Sequence, residues 1–468
     1  SDVYKRQVYM NFHAKSGAKL FYKLLTEYQI GGHFLGIMKS IYTSNHIFVK
    51  TSGGLTQSFE TTPGVKQGCV LSPTLFNLFI NKLPEMFDDS CDPVTLNSKK
   101  LSILMWADDV LVLSLSPKGL QQAINRTFSF FSELDLSVNS KKTKVMVFNL
   151  RGLTLDDHPD HIFVCGGKQL DVASEYTYLG LKLKPSGSFT MAIEELYKKV
   201  FRAWFAISNI VYQHKKLPVR RAFQMFDSLV APVALYGCEL WIPFSFKAGT
   251  LDSLKDLLGN WEHFSPERLN QRICKMVLSV HKKSSRLAVL GELGRNPILT
   301  FALNQLLTYE WQLKNVNSRD SLVGQAYLEM DLCVKKGVDC WLSKVEKIKK
   351  CLSISLSSFS KIGGIKSCIK KTIHSKFSRF WLDCVQEYKA DSDGLDRNKL
   401  RLYKTFKGSF NSEPYLNLVT NRNQRSDLTR MRISAHHLEI ERGRWSGTPA
   451  NQRFCKYCKF CGSTLNVI

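Results

Sequence analysis

The 468-residue chain contains no run of eighteen apolar residues, which is about the length that a helix needs to cross a bilayer. No secretory signal is visible near its start. Its 13 cysteines are scattered, without the dense spacing of a disulfide framework. These absences argue against a membrane-spanning or disulfide-stabilised secreted protein, and they predict reduced thiols in the nucleus, the cytoplasm or both.

Negative charge is also scarce, since 65 lysines and arginines stand against 40 aspartates and glutamates and give a net charge of +25. The hydrophobic content of 44% and the charged content of 22% are ordinary for a globular protein. The length allows two or three domains with sizeable cores. The positive excess favours a polyanionic ligand, whose binding would weaken steeply with added salt.

Two adjacent carboxylates, Asp108 and Asp109, stand between two short apolar runs at 101–105 and 110–115. This pattern predicts the tip of a β-hairpin. Adjacent carboxylates repel each other, and burial of either one is costly without a partner. Mg²⁺ suits such a pair because it keeps several waters and accepts one or two carboxylates together with substrate phosphates. The alternative is an exposed turn in which the aspartates supply only turn chemistry.

A glycine-containing loop precedes the aspartates, with the sequence TPGVKQGCVLSPTLFNLFIN over residues 62–81. Its glycines allow the backbone to approach a ligand closely. Ser72 is predicted to cap a helix that has Pro73 at its first position. Apolar residues with helical spacing follow and are predicted to be core, namely Leu75, Phe76, Phe79, Ile80 and Leu83. A loop that leads into a helix N-terminus is suited to hold phosphate and sugar.

The order of these segments resembles the palm of a non-LTR (LINE-type) retrotransposon reverse transcriptase. Residues 64–77 resemble that family's Gly-Gln-Gly, Leu-Ser-Pro and Phe-Asn block, and residues 106–109 resemble its aromatic-Ala-Asp-Asp box. Asn139 with Lys142-Thr143 resembles the family's next motif. Tyr178-Leu179-Gly180 resembles its primer-grip hairpin. Residues 228–232 and 235–241 resemble the family's thumb, and residues 291–295, 432–434 and 441–444 resemble its C-terminal helical segment.

The resemblance implies DNA synthesis on an RNA template, in which a primer 3′-hydroxyl attacks the α-phosphate of a dNTP with two Mg²⁺ ions in attendance. Asp108 matches the principal metal ligand and Asp109 its neighbour. Lys142 would approach the triphosphate and stabilise or protonate the leaving pyrophosphate, although a solvated lysine in a basic run is the alternative. Contacts with nucleotide or template are implied for Gln67, Gly68, Ser72, Pro73, Phe76 and Asn77, of which Phe76 also fits a core position.

The family also carries a metal-binding aspartate on a strand before the segment that here reads KLFYKLL over residues 19–25. No aspartate or glutamate lies between Asp2 and Glu27, and residues 1–7 look like a non-native scar. Asn11 and His13 are poor substitutes for a charged oxygen ligand of Mg²⁺. The sequence therefore predicts an N-terminally truncated polymerase, inactive or nearly so by itself.

The tail contains three closely spaced cysteines, Cys455, Cys458 and Cys461. A Cys-x₂-Cys pair is half of a zinc site, and a Cys/His knuckle often follows the helical segment in the family. Cys461 is a candidate third ligand, and His436 or His437 a distant fourth. Reactive thiols without a metal are the alternative.

The predicted fold class is α+β, with a partial right-hand polymerase palm followed by a helical thumb and a basic helical C-terminal region. The predicted layout is a scar at 1–7, partial fingers and palm at 8–190, the thumb at 191–300, the basic helical region at 301–430 and the truncated Cys-rich tail at 431–468. Helical apolar spacing is clearest in the thumb, at 192–210 and 220–235.

Basic and aromatic residues alternate in the segment 341–410, which holds 16 lysines and arginines against six acidic residues. The basic members include Lys347, Lys349, Lys350, Lys366, Lys370, Lys371 and Lys376, and the aromatic members include Trp341, Phe359, Phe377, Phe380 and Trp381. One interpretation is a nucleic-acid groove with stacking aromatics. The alternative is a solvated basic helix face whose aromatics point into the core.

Three functional hypotheses remain open at this point. The leading one is a fragment of a retrotransposon reverse transcriptase that acts on an RNA template, a DNA primer and dNTPs. A non-catalytic nucleic-acid-binding remnant of a decayed retroelement is the second, supported by the missing aspartate. A group II intron maturase-like polymerase is the third, and the segments at 228–241 and 291–295 speak against it.

Overall fold

The structure of the protein is a computed structural model that describes residues 17–43, 46–60, 69–97, 99–148, 162–213, 217–246, 251–259, 265–315, 318–355, 362–387, 400, 402–449 and 452–453. The chain divides into two compact units, Ser1–Ser188 and Phe189–Ile468.

Helices and short strands are mixed in the described part of the first unit. Its elements are α1 (Gly17–Thr26), α2 (Gly32–Thr43), β1 (His46–Ile47), β2 (Lys50–Thr51), β3 (Gly54–Leu55), β4 (Phe59–Glu60), α3 (Ser72–Ile80), β5 (Val94–Leu96), β6 (Lys99–Leu101), β7 (Ile103–Trp106), β8 (Asp109–Val112), α4 (Pro117–Glu133), β9 (Lys144–Val145), β10 (Phe163–Cys165), β11 (Lys168–Val172), β12 (Tyr176–Tyr178) and β13 (Leu181–Leu183). The strands pair antiparallel in sheets of two, apart from a three-stranded sheet in which β11 pairs antiparallel with β10 and parallel with β9. This mixture agrees with the predicted α+β class.

The core of the first unit lies between the apolar faces of α1, α3 and α4 and the inward side of β8. Leu75, Phe79, Ile80 and Leu83 are all buried, as their helical spacing predicts. Val110 and Val112 of β8 and Ile124 of α4 are fully buried in the same cluster. Burial of each such side chain stabilises the fold by about 1.5–3 kcal/mol, and this packing fixes the strand that begins at Asp109.

The described part of the second unit is helical. Its elements are α5 (Thr190–Gln213), α6 (Val219–Met225), a π-helical turn (Phe226–Val230), α7 (Ala231–Ala234), α8 (Cys238–Trp241), a 3₁₀ turn (Ile242–Ser245), α9 (Leu254–Gly259), α10 (Ser265–Val277), α11 (Arg286–Leu293), α12 (Ile298–Asn315), α13 (Leu322–Lys335), α14 (Trp341–Leu352), α15 (Ile362–Gln386), α16 (Tyr403–Phe406), α17 (Tyr415–Leu418), α18 (Arg422–Arg432) and α19 (Glu439–Trp445). The helices predicted at 192–210 and 220–235 are present, although the π-helical turn interrupts the second one. The predicted domain boundary at 300 falls inside α12, and the division into thumb and C-terminal region stays a prediction.

No single helix in the described ranges has both the length and the apolar composition to span a membrane. One bent pair, Val219–Ala234 with Cys238–Ser245, passes that test jointly at an angle of 56°. Its apolar side chains Phe226, Val230 and Trp241 are buried inside the second unit.

A buried ionic network joins two distant segments of the second unit that the sequence singled out, 291–295 and 432–434. The Arg432 guanidinium donates from Nε to Glu292 Oε2 at 2.9 Å and from Nη2 to Glu292 Oε1 at 3.1 Å. Its Nη2 also pairs with Glu413 Oε2 at 2.8 Å, and the Tyr415 hydroxyl donates to Glu292 Oε2 at 2.6 Å. The Glu292 side chain is fully buried. These contacts tie α11 to α17 and α18.

Gly294 closes α11 in the left-handed conformation, with φ = 57°, directly beside the ionic network. A Cβ atom at this position would stand 2.2 Å from the backbone nitrogen of Ser412. The close approach allows Leu293 and Ser412 to form a β-bridge and lets the Glu413 amide donate to the Glu292 carbonyl at 2.9 Å. Glycine is required here for both reasons.

A buried carboxyl in the second unit should make stability depend on pH. Glu267 accepts from the Ile298 amide at 2.8 Å, but burial still raises its pKa to about 7. Because the folded pKa exceeds the unfolded value, the folded state binds more protons in the interval from about 4.5 to 7. Stability should therefore fall across that interval, by about 3 kcal/mol at most. Urea unfolding at pH 5 and pH 8 should show a smaller difference for Glu267→Gln than for wild type.

The matched control for this pH dependence is Glu194→Gln, since Glu194 is exposed on α5 in the same unit. It should leave the wild-type pH dependence intact. An unchanged pH dependence in Glu267→Gln would contradict the assignment to Glu267.

Candidate active site

The two aspartates lie where the sequence predicts them, at the tip of a β-hairpin. Strands β7 and β8 pair antiparallel with Trp106 opposite Asp109, so that Ala107 and Asp108 form a two-residue turn. Ala107 has φ = 51°, the left-handed region that short hairpin turns require and that costs a non-glycine residue about 1–2 kcal/mol. The strained turn presents the Asp108 carboxylate at the surface.

The environment of the second aspartate disfavours its charged form. Asp109 is half-buried, and burial raises its pKa, with a further rise from the neighbouring charge of Asp108. Burial and the negative charge of Asp109 together raise the pKa of Tyr178, which brings the β12–β13 hairpin into the electrostatic environment of the aspartates. A cation at this point would relieve the repulsion between the two carboxylates.

Asp109→Asn should stabilise the fold modestly at neutral pH. The pKa of Asp109 is higher in the folded state than its ordinary value of 3.8, so the folded state binds more protons between these two pH values. Above that interval the charged Asp109 carboxylate therefore opposes folding. Because Asp109 is only partly buried, the gain should stay below about 1 kcal/mol. Thermal unfolding at pH 7 should show a higher midpoint for the variant. An unchanged or lower midpoint would argue against the unfavourable charge.

The residues resembling the primer grip form a second tight hairpin. Tyr178 pairs with Leu181 across a turn in which Leu179 and Gly180 both have positive φ, 43° and 80°. Such turns match the twist of the paired strands. The Tyr176 hydroxyl donates to the Lys142 carbonyl at 3.5 Å, so this hairpin also contacts the turn that carries Lys142.

Asn139 organises the turn that presents Lys142. Its carbonyl oxygen accepts from the Lys142 amide at 3.1 Å and from the Thr143 amide at 3.0 Å, and its Oδ1 accepts from the Lys142 amide at 3.2 Å. The Thr143 hydroxyl donates to the same carbonyl at 2.9 Å. Thr143 is buried while Lys142 is exposed. Asn139 and Thr143 therefore act as turn residues that hold the lysine outward.

A cavity of about 410 Å³ lies between the Lys142 turn and the β12–β13 hairpin. Its lining residues are Lys142, Lys144, Ala173, Glu175, Tyr176, Thr177 and Lys182. Lys144 is paired with Asp171, and Lys182 Nζ lies 2.8 Å from Glu175 Oε1. Sequence reasoning missed Lys144 and Lys182, whose only sequence signal is a lysine in each of two short strands.

The start of α3 differs from its prediction. Leu71, not Ser72, is the N-cap, and no side chain caps the helix. The buried Ser72 hydroxyl instead lies 3.1 Å from the Tyr42 hydroxyl, which donates to Cys69 Sγ at 3.2 Å and lowers the pKa of that thiol. Ser72 is thus committed to the interior, which corrects its role as a cap.

The other predicted contacts on α3 divide between surface and core. Pro73 and Asn77 are exposed. Phe76 is half-buried and packs against the core of the first unit, in keeping with its alternative interpretation. Only the two exposed residues present their side chains to a ligand without rearrangement.

Residues 18–183 match the family model described as reverse transcriptase (RNA-dependent DNA polymerase). This part of the chain is therefore similar to that family. The match contains all four features described above, namely the aspartate hairpin, the Lys142 turn, the β12–β13 hairpin and α3.

Three curated relatives from Drosophila melanogaster show the kind of protein that this reverse transcriptase region is similar to. The probable RNA-directed DNA polymerase from transposon BS is 24% identical over 215 residues, which cover 44% of this chain and 23% of that protein. The RNA-directed DNA polymerase from mobile element jockey is 24% identical over 218 residues, 44% of this chain and 22% of that protein. The 115 kDa protein in type-1 retrotransposable element R1DM is 23% identical over 333 residues, 69% of this chain and 29% of that protein.

These similarities confirm the resemblance to non-LTR retrotransposon reverse transcriptases and favour it over the maturase hypothesis. The chain spans less than a third of the length of each of the three relatives. The alignment of 333 residues is longer than the 188 residues of the first unit, so similarity to that relative extends beyond the reverse transcriptase match.

Several predicted residues lie outside the described part of the structure. These are Gln67 and Gly68, the segment 9–16 that corresponds to the position of the family's other aspartate, and the tail residues Cys455, Cys458 and Cys461. Within the described residues no group of three or more His, Cys, Asp or Glu is arranged to hold a metal ion. Metal binding by Asp108 and Asp109 and the zinc site at the tail both stay predictions.

Proposed function

We propose that this chain carries the metal- and nucleotide-binding part of an RNA-directed DNA polymerase from a non-LTR retrotransposon. The observation that carries the proposal is the pair Asp108–Asp109 on a strained hairpin tip within a reverse transcriptase region. RNA template, DNA primer and dNTPs are the proposed partners. Location in the nucleus or cytoplasm remains a prediction.

The donor set at the hairpin fits Mg²⁺, which reverse transcriptases as a family use as a divalent cofactor. Asp108 offers an exposed carboxylate and Asp109 a half-buried one whose charge is unfavourable without a cation. Mg²⁺ needs only one or two protein carboxylates when substrate phosphates complete its shell. When bound, the ion would neutralise charge on the reacting phosphates. Asp108 and Asp109 would hold it.

The basic cavity supplies the second part of the proposal. Lys142, Lys144 and Lys182 line this cavity, and because Lys144 and Lys182 pair with Asp171 and Glu175, the charge that would attract phosphates of a nucleotide or a primer is mainly that of Lys142. Lys142 is the member whose side chain is held outward by a rigid turn, so we assign to it the contact with the departing phosphates. Tyr176 and Thr177 bring the β12–β13 hairpin to the opposite side of the same cavity.

Primer extension on a poly(A) template with Mg²⁺ tests the function. The chain alone should extend an oligo(dT) primer at background level, because no carboxylate lies between Asp2 and Glu27. A chimera should extend the primer if the part of the transposon BS polymerase that precedes its alignment with this chain is placed before residue 17. Extension of the primer that does not depend on the RNA template would contradict the proposal. Asp108-dependent extension by the chain alone would overturn only the prediction of inactivity.

A non-catalytic nucleic-acid-binding protein is the second candidate function. The net charge of +25 favours it. It predicts salt-sensitive RNA binding with no extension from either the chain or the chimera.

A further inference from the structure

One helix of the second unit carries cations without any neighbouring acid on its own surface. Helix α15 contains no aspartate or glutamate before Asp383, a stretch of 21 residues from Ile362. The same stretch contains Lys366, Lys370, Lys371, Lys376 and Arg379. The first three and Arg379 are exposed, and Lys376 is half-buried.

The opposite side of α15 is anchored in the core. Ile365, Ile369, Ile373, Phe377, Trp381 and Val385 recur at four-residue spacing, and each is nearly or fully buried. Trp381 Nε1 donates to the Leu287 carbonyl at 2.8 Å, and the Phe410 ring lies 5.2 Å from the rings of both Phe377 and Trp381. The rigid helix therefore holds its cations in fixed positions on the outer side.

This packing corrects the hypothesis of a groove in which aromatics interleave with lysines. Phe377 and Trp381 point inward and cannot stack on bases, and Trp341 donates from Nε1 to the Glu239 carbonyl at 2.8 Å. Phe359 lies outside the described residues. Phe380 is half-buried and no large aromatic side chain of α15 is exposed, so the outer side of this helix offers charge without exposed stacking platforms.

The lysines of α14, the preceding helix, differ from those of α15 because they form ion pairs with nearby carboxylates. Lys344 Nζ lies 2.6 Å from Asp339 Oδ2, and Lys349 Nζ lies 2.8 Å from Glu346 Oε1. On α15, by contrast, none of the five cations is paired with a carboxylate of the described residues. Five like charges on one helix repel each other, so a structural role does not explain their concentration.

We propose that the outer side of α15, defined by Lys366, Lys370, Lys371 and Arg379, binds the phosphate backbone of the RNA template. The inference rests on the proposed polymerase function, which supplies the polyanion. With a rise of 1.5 Å per residue, the four cations extend over about 20 Å of the helix, enough to contact several phosphates.

The chemistry of this surface defines the mode of binding. Lysine contacts a phosphate as a point charge and carries no sequence information. Without exposed aromatics on the surface, base stacking contributes nothing, so binding should be independent of sequence and strongly dependent on salt. An acidic protein segment is the competing partner, and the test below includes it.

The test measures binding of a fluorescent single-stranded RNA by anisotropy across a salt series. The variant Lys366→Gln/Lys370→Gln/Lys371→Gln is compared with Lys335→Gln/Lys336→Gln/Lys347→Gln, which removes the same charge from exposed positions at the C-terminal end of α13 and on α14. The α15 variant should bind at least tenfold more weakly near 0.15 M salt, with the slope of log K against log salt reduced by about 2. The control should stay within about threefold of wild type.

Two further arms separate the outcomes. Arginine at the same three α15 positions should retain binding, and equal thermal unfolding midpoints would show that the glutamine variant is folded. Equal losses in the α15 variant and the control would overturn the proposal in favour of a general charge effect. Loss of polyglutamate binding without loss of RNA binding would overturn it in favour of an acidic protein partner.

The same measurements distinguish failure of the inference from failure of the proposed function. An α15-specific loss of RNA binding in a chain whose chimera never extends a primer would uphold the α15 surface and defeat the polymerase proposal. Asp108-dependent extension with unchanged RNA binding in the α15 variant would uphold the polymerase proposal and defeat the α15 surface.

Discussion

Arg432→Ala is expected to lower the free energy of unfolding of the second unit by about 3–5 kcal/mol, the usual cost of removing one partner of a buried ion pair. The guanidinium makes two hydrogen bonds to Glu292 and an ion pair with Glu413. Its removal would leave the fully buried Glu292 carboxylate without its cationic partner, beside the Tyr415 hydroxyl. Urea unfolding followed by circular dichroism measures the loss.

The matched control for Arg432 is Arg221→Ala, because Arg221 is exposed on α6 and its Nη1 donates to Oε1 of the nearby Gln224 at 2.9 Å. Its replacement should change stability by no more than about 0.5 kcal/mol. A double-mutant cycle of Arg432→Met with Glu292→Gln should give a coupling energy above about 1 kcal/mol. A loss below about 1 kcal/mol in Arg432→Ala would mean that the network contributes little.

Asp108→Ala is expected to reduce primer extension by the chimera by about 10²–10³-fold or more. Charge neutralisation by a bound metal ion contributes several kcal/mol to a transition state of this kind, and each 1.36 kcal/mol is tenfold in rate. Because Asp108 is exposed at a turn, the substitution should leave the unfolding midpoint nearly unchanged. Single-turnover extension with excess dNTP measures the effect.

Asp135→Ala is the control for Asp108, since Asp135 is an exposed aspartate whose carboxylate pairs with Lys19 Nζ at 2.5 Å on the same unit. It should retain extension within about twofold. Wild-type rates in Asp108→Ala would remove the hairpin from the reaction.

Local patterns in the sequence predicted the parts of the fold that depend on neighbouring residues. The acidic pair between two apolar runs predicted the β7–β8 hairpin, and apolar residues at four-residue spacing predicted the buried face of α3. Both patterns follow from the local geometry of the backbone. The predicted N-cap of α3 was wrong because the Ser72 hydroxyl forms a hydrogen bond with the hydroxyl of Tyr42, thirty residues away. Boundaries of this kind depend on tertiary partners that a local pattern does not contain.

Contacts between distant segments could not be predicted in the same way. The pair Glu292–Arg432 joins residues 140 positions apart, and Lys144 and Lys182 meet at one cavity only because β9, β11 and the β12–β13 hairpin assemble there. The aromatics of α15 were ambiguous because a basic helix with aromatics at four-residue spacing fits either a groove or a core. The long-range packing of Trp381 against Leu287 decides for the core.

The most direct test of the central claim, that Asp108 and Asp109 hold a catalytic divalent ion, is iron-mediated cleavage of the full chain. Fe²⁺ replaces Mg²⁺, ascorbate and peroxide generate local radicals, and the cut sites are mapped by mass spectrometry. The account predicts backbone cleavage around residues 106–109 that excess Mg²⁺ suppresses and that Asp108→Asn abolishes, while Asp135→Asn retains it. Cleavage that is absent from this hairpin, or that persists in Asp108→Asn, would contradict the account.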